Sequence, residues 1–315
     1  DYKGDNMTID KKFALRYLFQ QLIAAVFLVS AWLKLAPIEP FELTLVDSGL
    51  VPWSISPYAA RLLIALEAFI GVGLLFNTKF TKLLLKSGLY LTLFFCVYLL
   101  LLWWFRGNDV NCGCFGTLFS MTPIESLLKN ALLIIISLGA LRLFTPTPRN
   151  FKWIYIVGGL AIAALPFILN PPDGYFSNID ETQYPYKLRT ELIPDTIKAN
   201  IPFNMEEGEY LIAFLSISCP HCRVGAQKLS VAAKKHDLPR IHALFIGDES
   251  KMDEFRFESN SNLPYTMYRE NSFFKFTKGV LPTFLLVKNG QVLKRWSGAA
   301  FSYDEIAKIP SYLIE

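Results

Sequence analysis

The sequence predicts a multi-domain chain, an all-α transmembrane helix bundle followed by an α/β domain. Three observations lead there. Of 315 residues, 52% are hydrophobic and only 18% charged, and the mean hydropathy is +0.32, too apolar for an ordinary soluble protein. The apolar residues are concentrated before about residue 170, in runs near the ~20 residues a helix needs to cross the ~30 Å hydrocarbon layer. After that, residues 171–315 carry the mixed charges, turns and short apolar runs of a domain able to bury one core.

Taken in order, residues 1–6 read as a tag-like or disordered start ahead of Met7, and residues 7–150 as a bundle with spans at 13–35, 59–76, 83–105 and 127–144. A fifth span, 153–169, falls within 151–170. The first span is too long for a signal peptide and lacks a small-residue cleavage pattern, so it reads as an uncleaved anchor. An odd number of crossings puts the termini on opposite sides. Lys11, Lys12 and Arg16, then Lys79, Lys82 and Lys86, then Arg142, Arg149 and Lys152 lie on connections sharing one side, expected to be cytoplasmic. Glu39, Glu42, Asp47, Asp109 and Glu125 lie on the other connections. The expected setting is a bacterial inner membrane, with the N-terminus cytoplasmic, the lipid bilayer as a partner and the C-terminal domain periplasmic. Trp103 and Trp104 suit the outer interface. The net charge of +4 is small and forms no patch, which argues against nucleic acid.

Of the five cysteines, Cys96 stands alone in the third span and reads as a small buried hydrophobe, while the others pair closely as Cys112/Cys114 and Cys219/Cys222. The topology places both pairs on the outer side, a compartment that is oxidising in bacteria.

In the C-terminal part, a β-rich run at 210–217 leads into Ser218-Cys219-Pro220-His221-Cys222-Arg223 and a helical pattern at 224–235. A strand thus delivers Cys219 to a helix N-terminus, where unpaired N–H groups and the helix dipole favour the nucleophilic thiolate. Pro220 suits the first turn, and Cys222 is close enough to form a disulfide with Cys219. His221 can add a hydrogen bond or a positive charge. A structural disulfide or half of a zinc site is the plainer alternative, but no second cysteine pair follows, and His236 and His242 lack finger spacing. Beyond the motif, 241–247 reads as a strand, 252–258 as a helix, 283–288 and 291–296 as a hairpin about Asn289-Gly290, and 303–312 as a last helix.

With its CxxC opening a helix after a core strand, and Leu281-Pro282-Thr283 leading the later hairpin, residues 190–315 resemble a thioredoxin-like domain, and 171–189 read as a linker. The resemblance implies that Pro282 is a cis-proline facing the active cysteine and that Leu281 offers backbone groups to a substrate strand. Pro220-His221 is similar to the dipeptide of oxidising periplasmic disulfide oxidoreductases. Reducing, membrane-anchored relatives share the fold, so direction stays open.

Ser30-Ala31-Trp32-Leu33-Lys34-Leu35, Pro40-Phe41 and Ala65-Leu66-Glu67-Ala68-Phe69-Ile70-Gly71 resemble the DoxX and MauE family of four-helix membrane proteins, in which an early lysine and a second-helix glutamate recur. That likeness, over about 13–144, implies redox maturation beside a thioredoxin-like partner, here fused to the same chain. Glu67, halfway along the second span, is costly unless partnered, with Lys34 and Arg61 as candidates. A structural hydrogen bond, proton handling and a quinone headgroup contact, which would make Glu67 a cofactor-binding residue, all stay open.

Asn111-Cys112-Gly113-Cys114-Phe115-Gly116 puts two cysteines one residue apart, a spacing that makes a strained and labile disulfide. A redox relay with Cys219/Cys222 is the preferred reading, a structural clip or two thiols the alternative, and a metal site the last choice. The expected function is therefore thiol–disulfide exchange with the thiols or disulfides of extracytoplasmic proteins: Cys219 attacks, Cys222 resolves, and Cys112/Cys114 reset the pair. No haem, flavin or metal motif is recognisable, leaving a membrane quinone or another protein as the electron partner, with the quinone favoured by analogy with other membrane thiol enzymes. The rival is a non-enzymatic assembly factor or client-holding subunit of a larger membrane complex, which would tolerate serine at 112 and 114. A transporter has little support.

Overall fold

The computed structural model describes residues 2–113, 120–144, 152–172 and 184–314, in two compact units divided at Pro172/Asp173. In the first unit, α1 (Tyr2–Leu35) includes residues 2–6, where a tag-like or disordered start was expected: no proline interrupts the approach to the span. A short helix absent from the sequence reading, α2 (Glu39–Asp47), follows, with Pro40 in its first turn. Next come α3 (Ser56–Leu75), also with an early proline, and α4 (Thr81–Arg106), which stops at Gly107 with φ +78°. α5 (Pro123–Arg142) begins in a capping box: Glu125 N donates to Thr122 Oγ1 at 3.3 Å, and Thr122 N donates to Glu125 Oε2 at 2.8 Å.

Among the described residues, four helices are long and apolar enough to cross a membrane: Lys12–Leu35, Ser56–Leu75, Thr81–Arg106 and Pro123–Arg142. The apolar part of α6 (Lys152–Leu169) is shorter, Tyr155–Leu169. Still, α6 runs antiparallel along α3. Near its start the Tyr155 hydroxyl donates to Gly73 O at 3.0 Å, and just past its end Asn170 O accepts from Arg61 Nε at 2.7 Å. Asn170 Nδ2 also donates to Leu35 O at 3.1 Å. The chain therefore leaves α6 at the end of the bundle where α1 stops and α3 starts. At the opposite end the Arg16 guanidinium and the Lys82 ammonium lie over the Phe144 ring, 5.5 and 5.9 Å from its centroid.

The bundle core packs Ile23, Phe27, Ile70, Leu74, Leu84 and Leu133. Large apolar side chains face outward as well, Leu83, Val97, Leu128 and Leu160 among them, as a lipid-facing surface requires. Cys96 is half-buried on α4, not a core residue as expected, because α4 turns much of its surface away from the other helices.

In the second unit the elements run β1 (Tyr186–Lys187), α7 (Asp195–Lys198), β2 (Glu209–Ser216), α8 (Pro220–Lys235), β3 (Arg240–Ile246) and α9 (Met252–Ser259). Then come β4 (Tyr265–Met267), α10 (Phe273–Thr277), β5 (Thr283–Lys288), β6 (Gln291–Ser297), α11 (Tyr303–Ala307) and α12 (Ile309–Ile314). The described strands form one sheet in the order β1-β6-β5-β2-β3-β4, with β2 parallel to β3 and antiparallel to β5. A mixed sheet of this order, with a helix leaving the central β2, is thioredoxin-like.

The domain starts before residue 190: Tyr186 and Lys187 pair with β6, and Leu188 is buried, so the segment expected to be linker supplies an edge strand. Residues 173–183 lie outside those described. The expected last helix breaks at Lys308, two residues before Pro310, whose ring nitrogen has no hydrogen to donate back to the Ile306 carbonyl. The hairpin turn is as expected, with positive φ at both Asn289 (50°) and Gly290 (75°).

Candidate functional site

At the top of β2 the ladder continues one step, Ile217 N donating to Ile246 O at 3.0 Å, before the chain turns into α8. Cys219 is the N-cap residue of α8, in extended conformation, and its carbonyl accepts from Cys222 N at 3.0 Å and Arg223 N at 3.3 Å. The geometry separates the two thiols. Cys219 is half-buried at the surface, while Cys222 is fully buried, its sulfur accepting from Ser216 N at 3.3 Å.

Their acidities diverge accordingly. A hydrogen bond from the Cys222 thiol is the main cause that lowers the Cys219 thiol from 9.0 to about 6, against partial burial, which raises it. The backbone N–H groups of Cys222 and His221 and the His221 imidazole lower it further. His221, exposed between the cysteines, thus contributes, but less than the neighbouring thiol. Cys222 is raised above its ordinary value because it donates to that sulfur and is buried. One cysteine is therefore a nucleophile at neutral pH and the other a proton-holding partner behind it.

The Leu281–Pro282 peptide bond is cis. Pro282 packs against α8 beside the motif: a Cβ on Gly225 would come within 3.0 Å of Pro282 Cγ and of Phe284. Pro282 O accepts from Gly298 N at 2.8 Å, while Leu281 precedes the β5 ladder, which begins at Thr283. An ion pair missed from the sequence, Arg223 Nε to Glu258 Oε2 at 2.6 Å, ties the start of α8 to α9. Arg223 also lowers the Cys222 thiol slightly, against the larger effects that raise it.

In the membrane unit, Lys34 Nζ donates to Glu67 Oε1 at 2.6 Å and to Ser30 Oγ at 3.0 Å, all buried. Arg61, the other candidate partner of Glu67, is instead paired with Glu42 at 2.6 Å and with the carbonyls of Pro57 and Asn170. The reason is position: Arg61 sits near the start of α3, level with α2, whereas Lys34 reaches the middle of α3 from α1. Cys112 is buried in the connection between α4 and α5, its sulfur 3.0 Å from Ser126 Oγ and its N–H donating to Met121 O at 3.0 Å. Gly113 has φ +68°, and a Cβ there would lie 2.7 Å from Thr44 Oγ1. Cys114 lies outside the described residues. Cys112, Lys34 and Glu67 all line one cavity of about 310 Å³. Thr44 and Asn130, which line it, and Ser126, against the Cys112 sulfur, were not singled out from the sequence. Asn130, a polar residue inside an apolar span, was the available signal.

Comparison with known proteins agrees in outline. Residues 12–143 match the family described as methylamine utilisation protein MauE. Protein TlpB of Flavobacterium psychrophilum is 26% identical over 338 aligned residues, covering 90% of this chain and 91% of that protein. A secreted Mycobacterium tuberculosis disulfide oxidoreductase, described as homologous to E. coli DsbE, aligns at 18% identity over 34% of this chain and 82% of its own, with a TM-score of 0.29. At that score the strand order, not this likeness, carries the thioredoxin-like assignment. Residues 12–143 are thus similar to the MauE family, and the C-terminal unit has a thioredoxin-like strand order.

Proposed function

We propose that this protein is a membrane-bound thiol–disulfide oxidoreductase that oxidises the thiols of extracytoplasmic proteins. The carrying observation is the division of labour at the motif: an accessible Cys219 thiol lowered to about 6 beside a buried, protonated Cys222. A stabilised thiolate favours the reduced form of the pair and makes its disulfide the more oxidising. A client thiolate attacks the Cys219 sulfur of the Cys219–Cys222 disulfide, releasing Cys222 as a thiolate that takes up a proton. The second client thiol then attacks the mixed disulfide, and the client leaves oxidised while Cys219 leaves as the favoured thiolate. Leu281 and the cis Pro282 flank the groove in which the client strand would lie.

The reduced pair passes two electrons and two protons to a Cys112–Cys114 disulfide by the same exchange, and that pair passes them to a membrane quinone. Side assignment supports the relay. Gly113, next to Cys112, lies against Thr44 of the α1–α3 connection, and Asn170 hydrogen-bonds to Leu35, so both mark one end of the bundle. Arg16 and Lys82 lie at the other end, which the positive-inside bias makes cytoplasmic. On this reading both cysteine pairs would face the periplasm.

Disulfide mapping by mass spectrometry, on the Cys114→Ser, Cys222→Ser double variant purified from oxidising cells, tests the relay. A Cys112–Cys219 linkage is expected. If Cys219 traps only other proteins and Cys112 carries no bond to it, the relay is wrong and a separate protein must reset the pair.

A further inference from the structure

The buried Lys34–Glu67 pair is not consumed by the thiol chemistry, and its surroundings are those of a ligand site. It lines a cavity of about 310 Å³, at the small end of the roughly 300–1,000 Å³ of small-molecule pockets and enough for one substituted ring. Phe27, Phe41 and Phe95 supply aromatic walls, and the Lys34 ammonium lies 5.1 Å from the Phe41 ring centroid and 4.9 Å from that of Phe95. Phe94, also in the wall, is 49% exposed on the lipid-facing surface of α4, so the cavity borders the acyl layer. Glu67 is 2% exposed, and its Oε2 has no hydrogen-bond partner among the described residues. A buried carboxylate oxygen without a donor is costly, and an acyl chain filling the cavity would supply none.

We propose that this cavity is the headgroup site of a lipid-soluble para-quinone, reduced there to the quinol by the Cys112/Cys114 dithiol, which is itself oxidised to the disulfide. In balance, two S–H bonds break, the Cys112–Cys114 disulfide forms, and two electrons and two protons convert the quinone carbonyls to quinol hydroxyls. Lys34, which gives two of its three protons to Ser30 and Glu67, donates the third to a quinone carbonyl. Glu67 Oε2 accepts the hydroxyl that reduction creates at that carbonyl, so the pair serves both redox states. Cys112 lines the same cavity. The site rests on the reading of Cys112 and Cys114 as the relay pair, but ring binding is measurable without it.

The test is equilibrium binding of a decyl-substituted benzoquinone to the full-length protein in phospholipid nanodiscs. Saturable binding above that of empty discs is expected, unchanged in Cys219→Ser. Glu67→Gln should weaken binding of the reduced, quinol form by about tenfold, the loss of one hydrogen bond to a charged group. Ala59→Phe, which fills the cavity from a half-exposed position, should abolish binding while Cys219 still reacts with a thiol-specific reagent as in the wild type. Reduction of the bound quinone by pre-reduced protein should vanish in Cys112→Ser. Absence of saturable binding in the wild type, or equal binding by Ala59→Phe, overturns the site, and leaves dithiol oxidation at Cys219/Cys222 to be judged on its own. Binding without reduction would keep the site and sink the relay.

Discussion

Cys219 is held as a thiolate chiefly by its partner thiol, so its reactivity is a titration that individual side chains control. Alkylation of the reduced protein by iodoacetamide should follow the thiolate fraction of Cys219, half-maximal near pH 6 and flat above it. Below that pH the rate should fall about tenfold per unit as the sulfur takes up its proton. Cys222→Ala removes the foremost cause, and the midpoint should move up towards 9.0, while His221→Ala should move it less, because the imidazole charge is a smaller cause. A midpoint unmoved by Cys222→Ala would mean that the helix terminus alone sets the acidity. Both cysteines and their reactive order were readable from the sequence, since a strand leading into Cys-Pro-His-Cys and a helical pattern leaves little choice of geometry. The leading role of Cys222 was not, because it depends on which thiol is buried and where its hydrogen points.

Between elements, the meeting of α8 with the turn before β5 sets the site, and Gly225 is where they touch. Pro282 and Phe284 occupy the place of its side chain, and neither a rigid ring nor a core phenylalanine retreats cheaply. Gly225→Val should therefore cost about 1–3 kcal/mol, as overpacking does, and slow exchange by pushing the helix from the cis-proline turn. Thermal unfolding and client oxidation measured together check this: normal stability with normal turnover would show that the contact yields. The same logic holds at Gly113, where a positive φ and Thr44 both exclude a side chain. A glycine between two cysteines announced local freedom in the sequence, whereas the contact with α2, a helix the sequence did not announce, came only from the packed bundle. Short elements such as β4 and α7 were likewise invisible, since three or four residues carry too little periodicity to mark them.

For the whole molecule, the expected arrangement places the thioredoxin-like domain and Cys112 on the periplasmic side and Lys79 on the cytoplasmic side. A membrane-impermeant maleimide added to intact spheroplasts should label Cys219 in the reduced protein, yet leave a cysteine introduced as Lys79→Cys unlabelled until the cells are broken. The reverse pattern would invert the topology and remove the clients proposed above. The MauE match and the apolar helices both fall where hydropathy and the Lys34 and Glu67 motifs pointed. By itself the sequence pointed to the two-part architecture, to the four long apolar helices and to a Cys-Pro-His-Cys motif opening a helix after a strand, because hydrophobic length and local turn chemistry are properties of contiguous residues. Only the tertiary structure decided that Glu67 pairs with Lys34 and not Arg61, that Cys112 shares a cavity with that pair, and that Pro282 closes on Gly225. Those relations join residues tens of positions apart, and they are set by the angles at which helices and strands pack, which no local pattern encodes.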